Sequence, residues 1–271
     1  MSTTQVPDSA SNFEIFSSLR YDPRLPLAVA ENPDSYPEPS NSPYYLLAYH
    51  RDRLIAAARH FKWDEALLKA PLWSQGDVDS LKEFLDPKIP EKDKPWRLRI
   101  AIVSNGQPSC QVAPTAPIDP CNLLIPSLRP VTDAPIWKVY VDSEEITPSG
   151  FTTHKTSSRD DYNAARLRVG INSPTETAEV LMVNRNGEVM EGSITTPYFR
   201  SRGSTQSESR PSWITPPLSS GGNAGTTRRY ALDQGFCIER IFRKDELVDG
   251  EDCWLSNGVR GFMRGVVVLT R

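Results

Sequence analysis

The sequence predicts an α+β fold in two domains, and three features of the chain support this prediction. Residues 44–63, YYLLAYHRDRLIAAARHFKW, place apolar side chains at the spacing of an amphipathic helix. Residues 97–103, RLRIAIV, alternate as a strand does and run into the turn signal Asn105-Gly106. A proline-rich stretch over 108–135 separates these elements from a second group of strands and helices.

Composition restricts the class of protein. The chain has 271 residues, of which 38% are hydrophobic and 24% charged, which is typical of a soluble globular protein. The net charge of −3 gives no basic field for nucleic acid, and no window is apolar enough to span a membrane. The four cysteines are predicted to be reduced thiols in the cytoplasm. Since they form no CxxC pair and the three histidines are scattered, the sequence predicts no metal site.

The small N-terminal domain is predicted over 13–132, after a polar tail over 1–12 that is expected to be disordered. Its elements follow in chain order: a strand over 13–20, a proline-rich loop over 22–43, the helix within 44–63, a short helix over 77–86 capped by Asp77 or Asp79, and the strand that ends at Asn105.

The large C-terminal domain is predicted over 133–271, with its boundary inside the proline-rich stretch. Its elements are a strand over 136–142, an extended segment over 151–155, a helix with a Ser157-x-x-Asp160 cap that ends at Gly170, a hairpin around Asn186-Gly187, a strand over 213–218, a helix that ends at Gly235, and closing strands over 236–242, 251–257 and 265–271.

Glu191 is an unexpected residue in the hairpin NRNGEVMEGSITTPYF, residues 184–199. Asn186-Gly187 predicts a type I′ turn, because both central positions of that turn need a positive φ. Glu191 lies in the second strand, directly before Gly192, where an apolar side chain is expected. Taken alone, a solvated strand-end charge is the more frequent explanation.

The Gly-rich turn GGNAGTTRR is a candidate anion site. Gly221, Gly222 and Gly225 precede Thr226-Thr227 at the start of a predicted helix, where free N–H groups and the helix dipole favour an anion. The alternative is a flexible loop with a threonine cap. The turn lacks the Gly-Lys-Ser/Thr of a phosphate-binding P-loop and is not a dinucleotide fingerprint.

Lys155 closes the extended segment FTTHK and directly precedes the predicted helix cap. Most lysines are surface charges, whereas a lysine that forms a Schiff base must be deprotonated part of the time. Burial and the positive charge of His154 and Arg159, which are close in sequence, could lower its pKa.

Three segments, HKTSSRDDY, NRNGEVMEGS and ITPPLSSGGNAGTTRR, occur in the order found in the class IV (fold-type IV) pyridoxal-phosphate-dependent aminotransferases. HRDRL at 50–54 is similar to the H-x-x-R-L of that family, and LSNGVRG at 255–261 resembles the segment after its late strand. The resemblance therefore covers most of residues 44–271. FEIFSSLR and HKTSSRDDYNAAR look most like the fungal 4-amino-4-deoxychorismate lyases.

The resemblance implies a two-domain fold like that of D-amino acid aminotransferase, with pyridoxal 5′-phosphate in the interdomain cleft and a homodimeric assembly. Lys155 would form the Schiff base and then act as the general base, and Glu191 would keep the pyridine nitrogen protonated. The phosphate would be bound by residues that offer cationic, hydroxyl or backbone donors: Arg53, Thr226, Thr227, Ser256 and Asn257.

The chain departs from the family pattern at two places. Thr196-Pro197 stands where many relatives have Asn, and no tyrosine matches the family partner of the phenolic oxygen cleanly, Tyr162 being the nearest candidate. The insertion over 22–43 lies where substrate-side loops are expected. Arg20, Arg159 and Arg260 are candidate cations for substrate carboxylates.

Three functions remain open from the sequence. The first is a lyase that converts 4-amino-4-deoxychorismate to 4-aminobenzoate and pyruvate for folate synthesis. The second is a class IV aminotransferase with a branched-chain, D-amino acid or amine donor, and the third is a degenerate, non-catalytic dimeric binding protein.

Overall fold

The computed structural model describes residues 13–32, 36–64, 78–126, 134–173, 175–202 and 213–269. The predicted tail and the predicted boundary near residue 133 lie outside these ranges. Within them, strands form two sheets and helices pack on both, which confirms the α+β class. No helix in these ranges has the length and apolar character that a bilayer crossing requires.

The N-terminal sheet is antiparallel and has the order β1 (Ile15–Tyr21), β2 (Trp96–Ile102), β3 (Pro108–Pro114). Helices α2 (Leu47–His60) and α3 (Asp79–Leu85) share one hydrophobic core with this sheet. Because side chains alternate along a strand, the face of the sheet that points away from these helices carries residues such as Phe16 and Arg99.

The segment predicted as a loop over 22–43 contains a helix, α1 (Leu25–Ala30), so this prediction is wrong in part. Pro26 lies in the first turn, where its missing N–H costs no hydrogen bond. The buried face of α1 packs in a cluster with Tyr45, Leu123 and Tyr230. The segment 22–43 therefore packs, through α1, against residues of the C-terminal elements.

The C-terminal sheet has eight strands in the described residues, in the order β6-β5-β4-β11-β10-β7-β8-β9. Its strands are β4 (Trp137–Ile146), β5 (Ala178–Asn184), β6 (Val189–Gly192), β7 (Thr196–Arg200), β8 (Trp213–Thr215), β9 (Cys237–Glu239), β10 (Asp252–Asn257) and β11 (Gly261–Val267). Three helices accompany it: α4 (Gly150–Thr153), α5 (Asp160–Arg168) and α6 (Thr226–Asp233). Every residue of β5 is buried, which is typical of a strand covered on both faces.

The hairpin turn differs from the predicted type I′ geometry. Gly187 has a φ of +74°, but Asn186 does not adopt a positive φ. The register also changes inside the hairpin, since Met182 pairs with Glu191 and Val183 pairs with Val189. Met190 is therefore an extra, bulged residue directly before Glu191, and such a bulge changes the direction in which neighbouring side chains point.

The helix caps also differ from the sequence prediction. The Ser157 hydroxyl does not cap α5; it accepts a hydrogen bond from Glu14 N instead. A capping box does occur one helix earlier, between Ser149 and Thr152 of α4, where the sequence predicted an extended segment. Asp79 is the first residue of α3 rather than its cap, and Asp77 lies outside the described residues.

The two sheets meet where the segment after α4 runs along the edge of β1. Phe16 N donates to Lys155 O at 2.9 Å, and Ser157 N donates to Glu14 O at 2.8 Å. Ile15 and Thr156 form an antiparallel bridge between these hydrogen bonds. Lys155 is therefore fixed against the N-terminal sheet by its own backbone.

Asp22 is the only carboxylate in the described residues that pairs with the fully buried Arg20 of β1, at 2.9 Å. We expect Asp22→Ala to lower the free energy of unfolding by about 3–5 kcal/mol, because the guanidinium would stay buried without its counter-ion. Urea denaturation measures this. Asp252→Ala, which removes the exposed partner of Arg264, should cost no more than about 1 kcal/mol; equal losses would contradict the prediction.

Candidate active site

Lys155 lies two residues beyond the end of α4, half-buried against β1. Its Nζ is 5.2 Å from the centre of the Phe16 ring. Burial, and then the positive charges of Arg159 and Arg53, hold the pKa of the Lys155 ammonium well below its usual value. This shift favours the neutral amine, which is the nucleophilic and basic form.

Glu191 is buried on β6, and the structure explains how a carboxylate is held there. The Tyr162 hydroxyl donates to its Oε1 at 2.5 Å, and the backbone N–H of Asn223 donates to the same carboxylate. Burial raises the pKa of Glu191 to about 7, although Tyr162, Arg159 and Lys155 each favour the charged form. Glu191 is thus neither a solvated strand-end charge nor an ordinary core residue.

Tyr162, the nearest sequence candidate for the phenolic oxygen of the cofactor, contacts Glu191 instead. Its ring lies under the Arg159 guanidinium, 4.2 Å from the ring centre to Cζ. Burial and the Glu191 carboxylate raise the pKa of its hydroxyl, so it stays protonated as a donor. The hydroxyl has one hydrogen, and the short bond to Glu191 uses it.

The Gly-rich turn packs directly on the strand that carries Glu191. A Cβ on Gly222 would lie 2.3 Å from the carbonyl oxygen of Met190, so no larger residue fits there. The next residues contact the segment before Lys155, since Ala224 N donates to Thr153 O at 3.0 Å. One turn therefore touches the surroundings of both the lysine and the glutamate.

The N-terminus of α6 has the features of the predicted anion site. Thr226 and Thr227 are buried in its first turn, and the N-cap residue Gly225 has no side chain to satisfy the free N–H groups. Thr196, at the position where many relatives have Asn, lies beside this turn, because a Cβ on Gly225 would be 2.9 Å from its Oγ1.

Arg53 projects from α2 and is a half-buried cation with an unused donor. Its NH2 group donates to the Ser17 hydroxyl, but its Nε is buried and has no partner among the described residues. No described carboxylate lies within ion-pairing distance of it. Burial lowers the pKa of Arg53 to about 10, partly offset by Glu191. An anion would supply the missing acceptor.

A chain of hydrogen bonds connects Arg53 to the first turn of α6. The Ser17 hydroxyl contacts His50 Nδ1 at 2.6 Å, and His50 Nε2 contacts Thr226 Oγ1 at 3.4 Å. Burial, then Arg53 and Lys155, hold the pKa of His50 well below its usual value, so the imidazole is neutral. The guanidinium and the Thr226 hydroxyl therefore belong to one connected donor set.

Ser256 and Asn257 end β10 and have different surroundings. Ser256 is buried, and its hydroxyl donates to Thr227 Oγ1 at 2.8 Å. Asn257 Oδ1 accepts from the N–H groups of Val259 and Arg260 at 3.0 and 2.8 Å, so this side chain stabilises the turn before β11. The direct contacts of both residues with a cofactor stay predictions.

The three candidate cations for a substrate are placed differently. Arg20 is paired with Asp22 and donates to Ala116 O, so it is held away from any ligand. Arg159 donates to Ser193 O and lies near Lys155 and Glu191. Arg260 Cζ lies 5.4 Å from the centre of the Trp137 ring, and burial, followed by Arg97, lowers its pKa.

The structure adds Arg99, which the sequence did not single out. Its Cζ is 4.3 Å from the centre of the same Phe16 ring that faces Lys155 Nζ. It also pairs with Glu14 at 2.7 Å. Arg99 was hidden in the sequence because strand alternation alone does not reveal which sheet face meets the C-terminal elements.

Comparisons with known proteins identify the family of the chain. The profile of the family "Amino-transferase class IV" matches residues 40–267. Aminodeoxychorismate lyase of Saccharomyces cerevisiae is 37% identical over 141 residues, which are 48% of this chain and 37% of the yeast protein. The chain thus spans well under half the length of the curated relatives it matches, 37% and 39%.

Solved structures share the fold. A protein from Mesorhizobium loti assigned as an amino-acid aminotransferase superposes with a TM-score of 0.65 at 22% identity, covering 95% of this chain and all of that one. The PLP-bound form of a hypothetical aminotransferase from Mycobacterium tuberculosis gives a TM-score of 0.57 at 18% identity, covering 94% and 81% of the two chains.

The raised pKa of Glu191 makes a prediction about the protein without cofactor. The proton is bound more tightly in the folded state, so this stabilisation is complete below the ordinary pKa near 4.5 and is lost as the pH rises through about 7. The free energy of unfolding of the wild type, relative to that of Glu191→Gln, should therefore fall across this window by about 3 kcal/mol.

Urea denaturation at a series of pH values measures this difference. Glu145→Gln, at an exposed position of β4, is the control, and its difference from the wild type should not change over the same pH range. A flat difference for Glu191→Gln would contradict the raised pKa.

Proposed function

Because the chain belongs to the class IV aminotransferase family, we propose that it is a pyridoxal-phosphate-dependent lyase that converts 4-amino-4-deoxychorismate to 4-aminobenzoate and pyruvate. The observation that carries the proposal is that the half-buried Lys155 and Arg53 and the buried Glu191 are close enough to shift one another's pKa values. The similarity to the yeast aminodeoxychorismate lyase supports the choice of reaction.

The donor set fits the three reactive parts of pyridoxal phosphate. The Nε of Arg53 is a buried donor that has no partner among the described residues. Thr226 and Thr227 add hydroxyl and N–H donors for the phosphate. Glu191 offers a carboxylate for the ring nitrogen, and Lys155 offers the amine for the aldehyde. The position of Glu191 is further fixed by Tyr162, whose hydrogen bond favours the charged carboxylate that a pyridinium N–H needs.

Each side chain then has a distinct task in the proposed reaction. When bound, the cofactor supplies an electron sink for a carbanion next to the substrate nitrogen. Glu191 keeps a proton on the ring nitrogen, which strengthens that sink. Lys155 Nζ, whose pKa is lowered by burial and nearby positive charge, accepts the proton from C4 of the substrate.

The overall reaction balances without a second substrate. The C4–H bond and the C3–O bond of 4-amino-4-deoxychorismate break, the ring becomes aromatic, and enolpyruvate leaves. Enolpyruvate takes up the proton to give pyruvate. An aminotransferase, in contrast, needs a keto acid that accepts the amino group, so the requirement for an acceptor separates the two functions.

The substrate carries two carboxylates, which require cations near Lys155. The Phe16 ring is close to both Lys155 and Arg99, so it can contact the substrate ring while Arg99 offers charge-assisted hydrogen bonds. Arg159 and Arg260 offer further positive charge from the C-terminal elements. These three arginines form the proposed carboxylate-binding set.

We also propose that the protein acts in the cytoplasm as a homodimer. The family resemblance supports the dimer, and four free cysteines are in keeping with a reducing compartment.

The first test is incubation of the purified protein, loaded with pyridoxal phosphate, with 4-amino-4-deoxychorismate. We expect 4-aminobenzoate and pyruvate to form in equal amounts without any keto acid, as measured by chromatography. Lys155→Ala should reduce the rate by at least about 100-fold, because the general base is lost.

Two results would contradict the lyase. Formation of the pyridoxamine form of the cofactor with amino acids, and no product from 4-amino-4-deoxychorismate, would favour an aminotransferase. Unchanged cofactor colour and activity in Lys155→Ala would contradict both enzymatic functions and favour a binding protein.

Arg99→Gln tests the carboxylate site. We expect the KM for 4-amino-4-deoxychorismate to rise about tenfold, since a charge-assisted hydrogen bond is worth about 1.5–3 kcal/mol, while the affinity for the cofactor stays unchanged. The control is Arg264→Gln on β11, whose guanidinium pairs with the exposed Asp252. A KM equal to that of the wild type would exclude Arg99 from substrate binding.

A further inference from the structure

Three buried hydroxyl groups form a chain behind the first turn of α6. Tyr198 OH lies 2.8 Å from Ser256 Oγ, and Ser256 Oγ lies 2.8 Å from Thr227 Oγ1. Each of the three side chains is exposed by 2% or less. The chain crosses β7 and β10, which are adjacent antiparallel strands of the large sheet.

The number of hydrogens favours one direction of donation along this chain. Ser256 donates its single hydroxyl hydrogen to Thr227, so its contact with Tyr198 must be one in which Tyr198 donates. The Thr227 oxygen is thereby occupied as an acceptor, and its own hydrogen is left for another group. Tyr198 OH is also 3.4 Å from Thr227 O, a weaker contact that does not compete with the shorter bond.

The reverse direction is less favourable. Thr227 would donate to Ser256, Ser256 would donate to Tyr198, and the tyrosine hydrogen would have the 3.4 Å contact to Thr227 O as its acceptor among the described residues. This arrangement would also turn the Thr227 hydroxyl hydrogen away from any anion at the helix terminus. An anion therefore selects the direction that starts at Tyr198, and cooperative polarisation along the chain strengthens the last donor.

We propose that Tyr198 is a positioning residue for the phosphate group: acting through Ser256, it orients the Thr227 hydroxyl as a hydrogen-bond donor toward the anion. This inference rests on the proposed function, since it takes the first turn of α6 as the phosphate site. It assigns Ser256 an indirect role, as the middle of the chain rather than a phosphate ligand. Tyr198 itself does not contact the ligand.

Tyr45 provides a matched control. It is a fully buried tyrosine in the same hydrophobic cluster as Tyr198, but its hydroxyl has no hydrogen-bond partner in the described part of the chain. Replacement by phenylalanine removes one buried hydroxyl from the same cluster in both cases. The Tyr198 variant alone interrupts the hydroxyl chain.

The experiment compares full-length wild type, Tyr198→Phe and Tyr45→Phe after removal of the cofactor. Each is titrated with pyridoxal phosphate and with pyridoxal, which lacks the phosphate, by absorbance near ~400 nm, where Schiff bases absorb. Tyr198→Phe should weaken the binding of pyridoxal phosphate about three- to tenfold, the effect of one hydrogen bond, without weakening that of pyridoxal. Tyr45→Phe should change neither.

Coupling to Thr227 gives an independent readout. In a Thr227→Val background, Tyr198→Phe should cause no additional loss of affinity for pyridoxal phosphate, because the hydroxyl that it orients is gone. Ser256→Ala should cause the same loss of affinity for pyridoxal phosphate as Tyr198→Phe. It replaces the tyrosine variant in the experiment if that variant does not fold. Equal losses for pyridoxal and pyridoxal phosphate, or additive losses in the Thr227→Val background, would overturn the proposal.

Inorganic phosphate separates this inference from the proposed function. Phosphate should raise the thermal unfolding temperature of the cofactor-free wild type and of Tyr45→Phe, with a midpoint concentration three to ten times higher in Tyr198→Phe. If the phosphate midpoints differ in this way but the wild type forms no Schiff base with pyridoxal phosphate, the proposed function is overturned and the role of Tyr198 is still supported. Identical phosphate midpoints in the three proteins would overturn that role.

Discussion

The backbone hydrogen bonds between β1 and the segment that carries Lys155 are the contact on which the site depends. They fix Lys155 O to Phe16 N and Ser157 N to Glu14 O, so the lysine cannot shift along β1 without losing main-chain pairing. The next residue on β1, Ser17, contacts both the Arg53 guanidinium and a buried imidazole. Strand β1 therefore sets the relative positions of the Lys155 amine and the Arg53 guanidinium.

Burial and neighbouring charges then explain why the pKa values of the groups in this site differ from their usual values. Lys155, Arg53 and Arg159 bring positive charge to a region in which the buried carboxylates of Glu191 and, more weakly, Glu179 oppose the charge of Lys155. Burial penalises every charge, which moves the pKa of the lysine down and that of the glutamate up. A phosphate dianion near Arg53 would add the negative charge that this arrangement lacks, so binding of the cofactor and ionisation of the site are coupled.

The sequence predicted the parts of the site that depend on local pattern. The helical spacing around Arg53 and the Gly-rich turn before Thr226 are both signals within a few residues, and the structure contains both elements. The partner of Tyr162 could not be predicted, because it depends on how α5 packs on the hairpin and on the bulge at Met190. The pairing of Arg20 with Asp22, which removes this arginine as a substrate ligand, likewise became visible only after folding.

The proposed phosphate end of the site has neutral hydroxyl groups where additional cations would be costly. A second buried guanidinium beside Arg53 would need its own desolvation and would shift the pKa of Lys155 further down. Hydroxyl groups add donors without adding charge, but each has one hydrogen that must point in a useful direction. The imidazole behind Thr226 and the hydroxyl chain behind Thr227 contact these hydroxyl groups on the side of the protein, and a bound anion selects the arrangement in which the threonine hydrogens point toward it.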